Sequence, residues 1–185
     1  MTATRDAIIA LSDRFIRDKG FNGFSFYDLS KEIGIKTASI HYHFPTKADL
    51  GAATIKSQIE GLEELKKKLS DKSPFQKLDG FFEIYDRAKS ENRVCLVGSL
   101  ATDFNTVDVK VREELKQLSV RILDWLTEVL EEGKAKGKFF YDVPSRTKAL
   151  MIITNMLGIV QVMRLTGSQD YEAVKKGIVK ELKTR

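Results

Sequence analysis

The stretch GFNGFSFYDLSKEIGIKTASIHYHFPTKADL, residues 20–50, decides how the whole chain is read. It holds both histidines, His41 and His43, on either side of Tyr42 and just ahead of Phe44-Pro45. Ser25-x-x-Asp28 has the spacing of a capping box, in which two side chains satisfy each other's free backbone N–H groups at a helix start. The helix it opens carries Leu29 and Ile33, four apart, on its inward face. Gly34 breaks it after little more than two turns, and Gly34-Ile35-Lys36 forms a tight turn. A second short helix starts near Thr37 and ends before Pro45, because proline pushes the preceding residue out of the helical region. Thr46-x-x-Asp49 is a second capping box and begins a long helix.

Two short helices joined by a tight glycine turn read as a helix-turn-helix, whose second helix lies in the DNA major groove. Within that helix Ile40 faces inward, and Thr37, Ala38, Ser39, His41 and Tyr42 form the outward face. Short side chains let the backbone approach DNA, and longer polar ones reach phosphates. Lys36 in the turn and His43 complete the candidate contact set, and Lys47 adds a cation and backbone N–H groups in the first turn of the next helix.

Other chemistries fit this segment less well. A zinc site needs both histidines on one helical face, but residues two apart diverge by roughly 200° at 3.6 residues per turn. No cysteine or carboxylate stands nearby at ligand spacing. A catalytic histidine needs a nucleophile and an orienting carboxylate, and none is evident. Two surface histidines on an ordinary bundle helix are the bland alternative.

Outward from this segment the chain reads as all-α. One helix precedes it, from about Thr4 to Lys19, with Ile8, Leu11 and Phe15 on one stripe. Beyond residue 70 the helices lengthen: Ser73-Pro74 opens one that runs to about Ser90, and a shorter segment covers Leu96–Phe104. Long helices follow at about Val109–Lys136, from Pro144 to about Leu165, and at about Tyr171–Leu182. The division is a three-helix unit with the helix-turn-helix over residues 1–50, and a helical bundle over 51–185.

Composition sets the outer bounds. The 42% hydrophobic content suffices for a packed core, and 3 Pro with 12 Gly argue against disorder. A single cysteine, Cys95, cannot form an internal disulfide, which fits a reducing, cytoplasmic setting. The charged N-terminus lacks the apolar run of a secretion signal. The longest uncharged run, ALMIITNMLGIVQVM at 149–163, falls short of the roughly 20 residues of a membrane span, so a buried helix and no membrane are expected. The net charge of +5 does not locate a nucleic-acid site, since residues 1–50 hold seven Lys/Arg against six Asp/Glu.

Residues 20–50 resemble the DNA-binding signature of the TetR family of transcriptional regulators. The matching positions are Gly20-Phe21, Ser25, Asp28-Leu29, Gly34-Ile35, His41-Tyr42-His43-Phe44, Lys47 and Leu50. His41 and His43 stand where many members carry tyrosine. The resemblance implies an all-helical homodimer on double-stranded operator DNA. Its larger C-terminal domain would bind an inducer, with repression relieved when a small molecule or an electrophile arrives.

The helix at 149–165 is apolar on nearly every face, so it needs cover on all sides: from a partner subunit, or as the central core helix of a monomer. By resemblance, the helices at about 146–165 and 171–182 form the two-fold interface. Phe82, Tyr85, Cys95, Phe104, Trp125 and Met156 are candidates to line the pocket of an unknown small-molecule inducer, although such residues are also plain core. Cys95 reads either as a small buried hydrophobe or as an electrophile-sensing thiol, the latter because CLVGSL is similar to a subgroup of the family.

No phosphate loop, dinucleotide fingerprint or His-Glu-x-x-His helix occurs, and GKAKGKF at 133–139 fails the phosphate-loop spacing. The expectation is a non-enzyme without cofactor or metal. A helical adaptor or ligand-binding protein without specific DNA binding is the rival, and DNA affinity that falls steeply with salt separates the two.

Overall fold

A computed structural model describes residues 3–184, and among them the regular structure is helical throughout. The helices are α1 (Ala3–Lys19), α2 (Phe26–Ile33), α3 (Thr37–His43), α4 (Lys47–Lys68), α5 (Pro74–Ser90), α6 (Leu96–Thr102), α7 (Val109–Ala135), α8 (Ser145–Thr166) and α9 (Ser168–Lys183), with a 3-10 turn at Phe21–Gly23. The chain packs as two units. The first comprises residues 1–61 and 96–119, the second 62–95 and 120–185, so α4 and α7 each contribute to both.

In the first unit α1 buries Ile8, Leu11 and Phe15 together with Ile9 and Ile16. It stops at Gly20, whose φ of 78° suits glycine and whose N–H donates to Ile16 O. Both expected capping boxes form. Ser25 Oγ accepts from the Asp28 N–H while Ser25 N donates to Asp28 Oδ2 at 2.7 Å, and Thr46 and Asp49 repeat the exchange. Residues far along the chain complete this unit. Asp103 accepts the Phe21 N–H at 2.7 Å and the Asn22 side chain at 3.2 Å. The buried Ser99 hydroxyl donates to Ile16 O near the end of α1, the carbonyl that also accepts the Gly20 N–H.

The second unit is built on Leu78, Phe81, Phe82 and Tyr85 of α5, the inner face of α7 from Ile122 to Leu130, and buried stripes of α8 and α9. Ser73 and Gln76 form a capping box around Pro74. Asp86 on α5 ties down α9, accepting from the Tyr171 hydroxyl at 2.6 Å and the Lys175 ammonium at 2.7 Å.

Helix α8, Ser145–Thr166, matches the helix expected from Pro144 to about Leu165. It runs 22 residues, beyond its 15-residue uncharged run, so by length and composition alone it is long enough to cross a membrane. One face is protein core: Ile152, Met156, Ile159, Val160 and Met163 are buried. The other face exposes Leu150, Met151, Val162 and, at 89% of its surface, Leu165. Leu150, Leu157, Gln161 and Leu165 recur at the i, i+7, i+11 and i+15 positions of one helical stripe.

Candidate nucleic-acid interface

Helix α3 is held by its two apolar anchors. Ile40 is fully buried and Phe44 nearly so, which fixes the rotation of a helix only seven residues long. The turn before it works because Gly34 adopts the left-handed conformation (φ 79°, ψ 31°) and its N–H donates to Ser30 O. Ser30 Oγ lies 3.0 Å from Thr37 Oγ1, so a side-chain hydrogen bond joins α2 to the first residue of α3.

The expected outward residues divide into two groups. Lys36, Ala38, His41 and Tyr42 are exposed, whereas Thr37, Ser39 and His43 are half-buried. Tyr42 stands out at 84% exposure. A tyrosine so placed offers a ring with nothing to bury it and a hydroxyl able to donate to an acceptor outside the chain.

The two histidines have separate neighbours. The His41 ring meets Phe26 edge-on at 4.8 Å, and its Nδ1 is 3.3 Å from Pro45 O. A carbonyl only accepts, so in this contact Nδ1 carries the proton and donates. The His43 ring stands 5.1 Å from that of Tyr42 and 6.5 Å from that of Phe44, and braces the aromatic end of α3.

Lys47 is placed differently from a solvent-facing cation. Its ammonium donates to Phe24 O and lies over the rings of Phe24 (4.2 Å) and Phe21 (4.9 Å). Desolvation lowers its pKa, with the charges of Asp103 and Asp28 acting the other way. This lysine therefore fastens the start of α4 to the segment before α2. At this end of α4 the Thr46–Asp49 box uses the Thr46 and Asp49 N–H groups.

Two residues of this surface escaped the sequence reading. Tyr27 on α2 is 68% exposed, beside the buried Phe26. The adjacent pair of aromatics is its signal, since a short helix on a core can bury only one of two neighbours. The Arg5 guanidinium sits 5.2 Å from the centre of the Phe44 ring and brings a cation to the end of α3.

The candidate inducer residues lie in two places. Phe82, Tyr85, Cys95, Trp125 and Met156 are buried in the second unit, and Phe104 is half-buried in the first. Burial, with the Cys95 thiol as a lesser cause, pushes the Tyr85 hydroxyl pKa far up, so this tyrosine stays neutral.

Comparison with known proteins bears on the whole chain. Residues 8–54 match the profile of bacterial regulatory proteins of the tetR family, and residues 74–176 match the tetracyclin repressor-like C-terminal domain. A TetR transcriptional regulator from Legionella pneumophila is 33% identical over 99% of both chains, with a TM-score of 0.88. A TetR-family regulator from Agrobacterium tumefaciens is 25% identical over 98% of both chains, with a TM-score of 0.87. The regulatory protein TetR from Rhodobacter sphaeroides shares the fold at 16% identity, covering 97% of this chain and 99% of its own, with a TM-score of 0.84. Among curated proteins none matches the chain.

Proposed function

This chain belongs to the TetR family and is a DNA-binding transcriptional regulator, and from that premise we propose that it is a homodimeric repressor released from its operator by a small-molecule or electrophile inducer. The observation that carries the DNA half is the exposed side of α3, where Tyr42 stands among small and hydrogen-bonding residues on a helix fixed by Ile40 and Phe44. DNA contact falls to residues 1–50, through Lys36, Thr37, Ala38, Ser39, His41, Tyr42 and His43. Lys47 acts mainly as a brace that presents the start of α4 to a phosphate. Residues 51–185 carry inducer binding and dimerisation, and the protein acts in the cytoplasm, where its operator is.

The dimer contact we assign to α8 and α9. The exposed Leu150, Val162 and Leu165, with the half-buried Leu157 beside them, form apolar surface that a second copy would remove from water. Inducer binding we assign to the second unit around Phe82, Tyr85, Trp125 and Met156, with Phe104 a candidate in the first. Cys95 is the electrophile candidate. Its thiol is only 4% exposed, so a reagent reaches it only when the segment preceding α6 opens. Cys95→Ser is expected to bind DNA normally yet to keep hold of it under an electrophile that releases the parent protein. An identical response would make the thiol structural.

The deciding experiment is a mobility-shift titration on the DNA flanking the protein's own gene, at two salt concentrations, with Tyr42→Ala alongside. Saturable, salt-sensitive binding that the substitution weakens is expected. Wild type and variant behaving alike on that DNA and on random DNA would favour the helical adaptor.

A further inference from the structure

The second unit has an open cleft of about 900 Å³ bounded by the end of α7, residues 139–143, the first turns of α8 and the last turns of α9. None of the residues assigned above to inducer binding lines it. Its chemistry centres on Lys148, whose side chain is only 4% exposed, an unusual burial for lysine. An ammonium has three N–H donors, and Lys148 spends one on Glu181. A buried charge persists only where it is paired. Here the partner's side chain is 64% exposed, so it is free to leave for water. Lys148 is thus a buried cation whose counter-charge is replaceable.

The surroundings favour an anion. Lys134 and Lys180 also line the cleft, against the acids Asp142 and Glu181. Helix α8 begins beside it with Pro144 at the cap, no side-chain hydrogen bond there and no acid in its first turn, which leaves the positive end of its dipole without a carboxylate on the helix itself. Two of the nearby C-terminal carbonyls of α9, which would attract a cation, already accept backbone hydrogen bonds. Leu182 O accepts the Phe140 N–H at 2.9 Å, and Glu181 O accepts that of Thr184 at 3.3 Å. Phe140 and Tyr141, both half-buried, and the exposed Met151 supply apolar wall.

We propose that this cleft binds a small organic carboxylate with an apolar body. Its carboxylate takes the place of Glu181 on Lys148, and its body lies on Phe140, Tyr141 and Met151. The site is separate from the inducer pocket, and the assignment does not depend on the repressor reading.

The test is isothermal calorimetry of the full chain with 4-phenylbutyrate, with 4-phenylbutanol as the same body lacking the charge. Glu181→Gln removes the competing carboxylate and is expected to tighten 4-phenylbutyrate at least fivefold. Lys148→Met is expected to weaken it at least tenfold, while 4-phenylbutanol binds wild type no better than 4-phenylbutyrate binds that variant. Circular dichroism verifies the fold. Should Lys148→Met not fold, Glu181→Gln decides alone, because its side chain stands in solvent. Unchanged or weaker binding by Glu181→Gln overturns the proposal. So does equal affinity of wild type for the acid and the alcohol, or no binding of the acid at millimolar concentration by either wild type or Glu181→Gln.

Discussion

Helices α3 and α8 both leave apolar side chains in water, and they do it in opposite ways. On α3 the exposed group is one aromatic with a hydroxyl, Tyr42, among alanine, serine, threonine and histidine. On α8 it is a set of aliphatic side chains, Leu150, Val162 and Leu165, with Gln161 the polar member of their stripe. A lone ring with a donor at its tip suits a hydrated polyanion, because its hydroxyl can reach a phosphate while little apolar area stays wet. An aliphatic row gains nothing from a polyanion, and what it needs is another apolar surface. Two helices of one chain thus point to two different classes of partner, by side-chain chemistry rather than by exposure alone.

The strongest way to break this contrast is to charge the aliphatic row. Leu150→Glu with Val162→Glu is expected to raise the dimer dissociation constant more than a hundredfold, read by light scattering against a monomer mass of 21.0 kDa. Helix content should hold, since both side chains are exposed in the single chain. A dimer that survives both charges would place the contact on another face. On α3, Tyr42→Phe isolates the hydroxyl. A hydrogen bond to a charged acceptor contributes about 1.5–3 kcal/mol, so operator affinity should fall at least tenfold, with oligomeric state unchanged. An unaltered mobility shift would mean that the ring alone, or nothing at this position, meets DNA.

Smaller effects should sharpen the picture on the DNA side. Ser25→Ala removes half of the capping box that starts α2 and is expected to cost about 1 kcal/mol, seen as a lowered melting temperature. Acid should weaken the same unit. Hydrogen bonds from Ser25 hold the Asp28 carboxyl below its ordinary pKa, and hydrogen bonds from Lys110 and then Thr46 do the same for Asp49. A folded-state pKa below the unfolded one means stabilisation that is fully present above the ordinary carboxylate range, near pH 4, and lost as pH falls through the depressed values. Melting followed between pH 5 and pH 3 should show this loss, with a shallower dependence in Asp28→Asn. Parallel curves for the two proteins would remove Asp28 from the explanation.

Much of the candidate site around α3 was legible because its signals are local. Ser25 with Asp28, Thr46 with Asp49, Gly34 and Pro45 each act on backbone within four residues, and each does so in the structure. The inward turn of Ile40 followed from helical period. Lys47 did not follow, because its partners, Phe24 O and two rings, are brought to it by a turn more than 20 residues earlier. A lysine written in sequence has no direction. Whether it reaches a phosphate or a carbonyl depends on which acceptor folding delivers.

By itself, the sequence determined the helices, most of their ends and the helix-turn-helix. All of these rest on period, caps and breakers that act within a turn or two. Only the tertiary structure decided that residues 96–119 pack with 1–61, through Asp103 on Phe21 and Ser99 on Ile16. It alone set Lys148 into the wall of a cleft opposite an exposed Glu181. Contacts between residues 33 to 83 positions apart leave no periodic trace. They are chosen by burial and by the pairing of polar groups once the helices already exist.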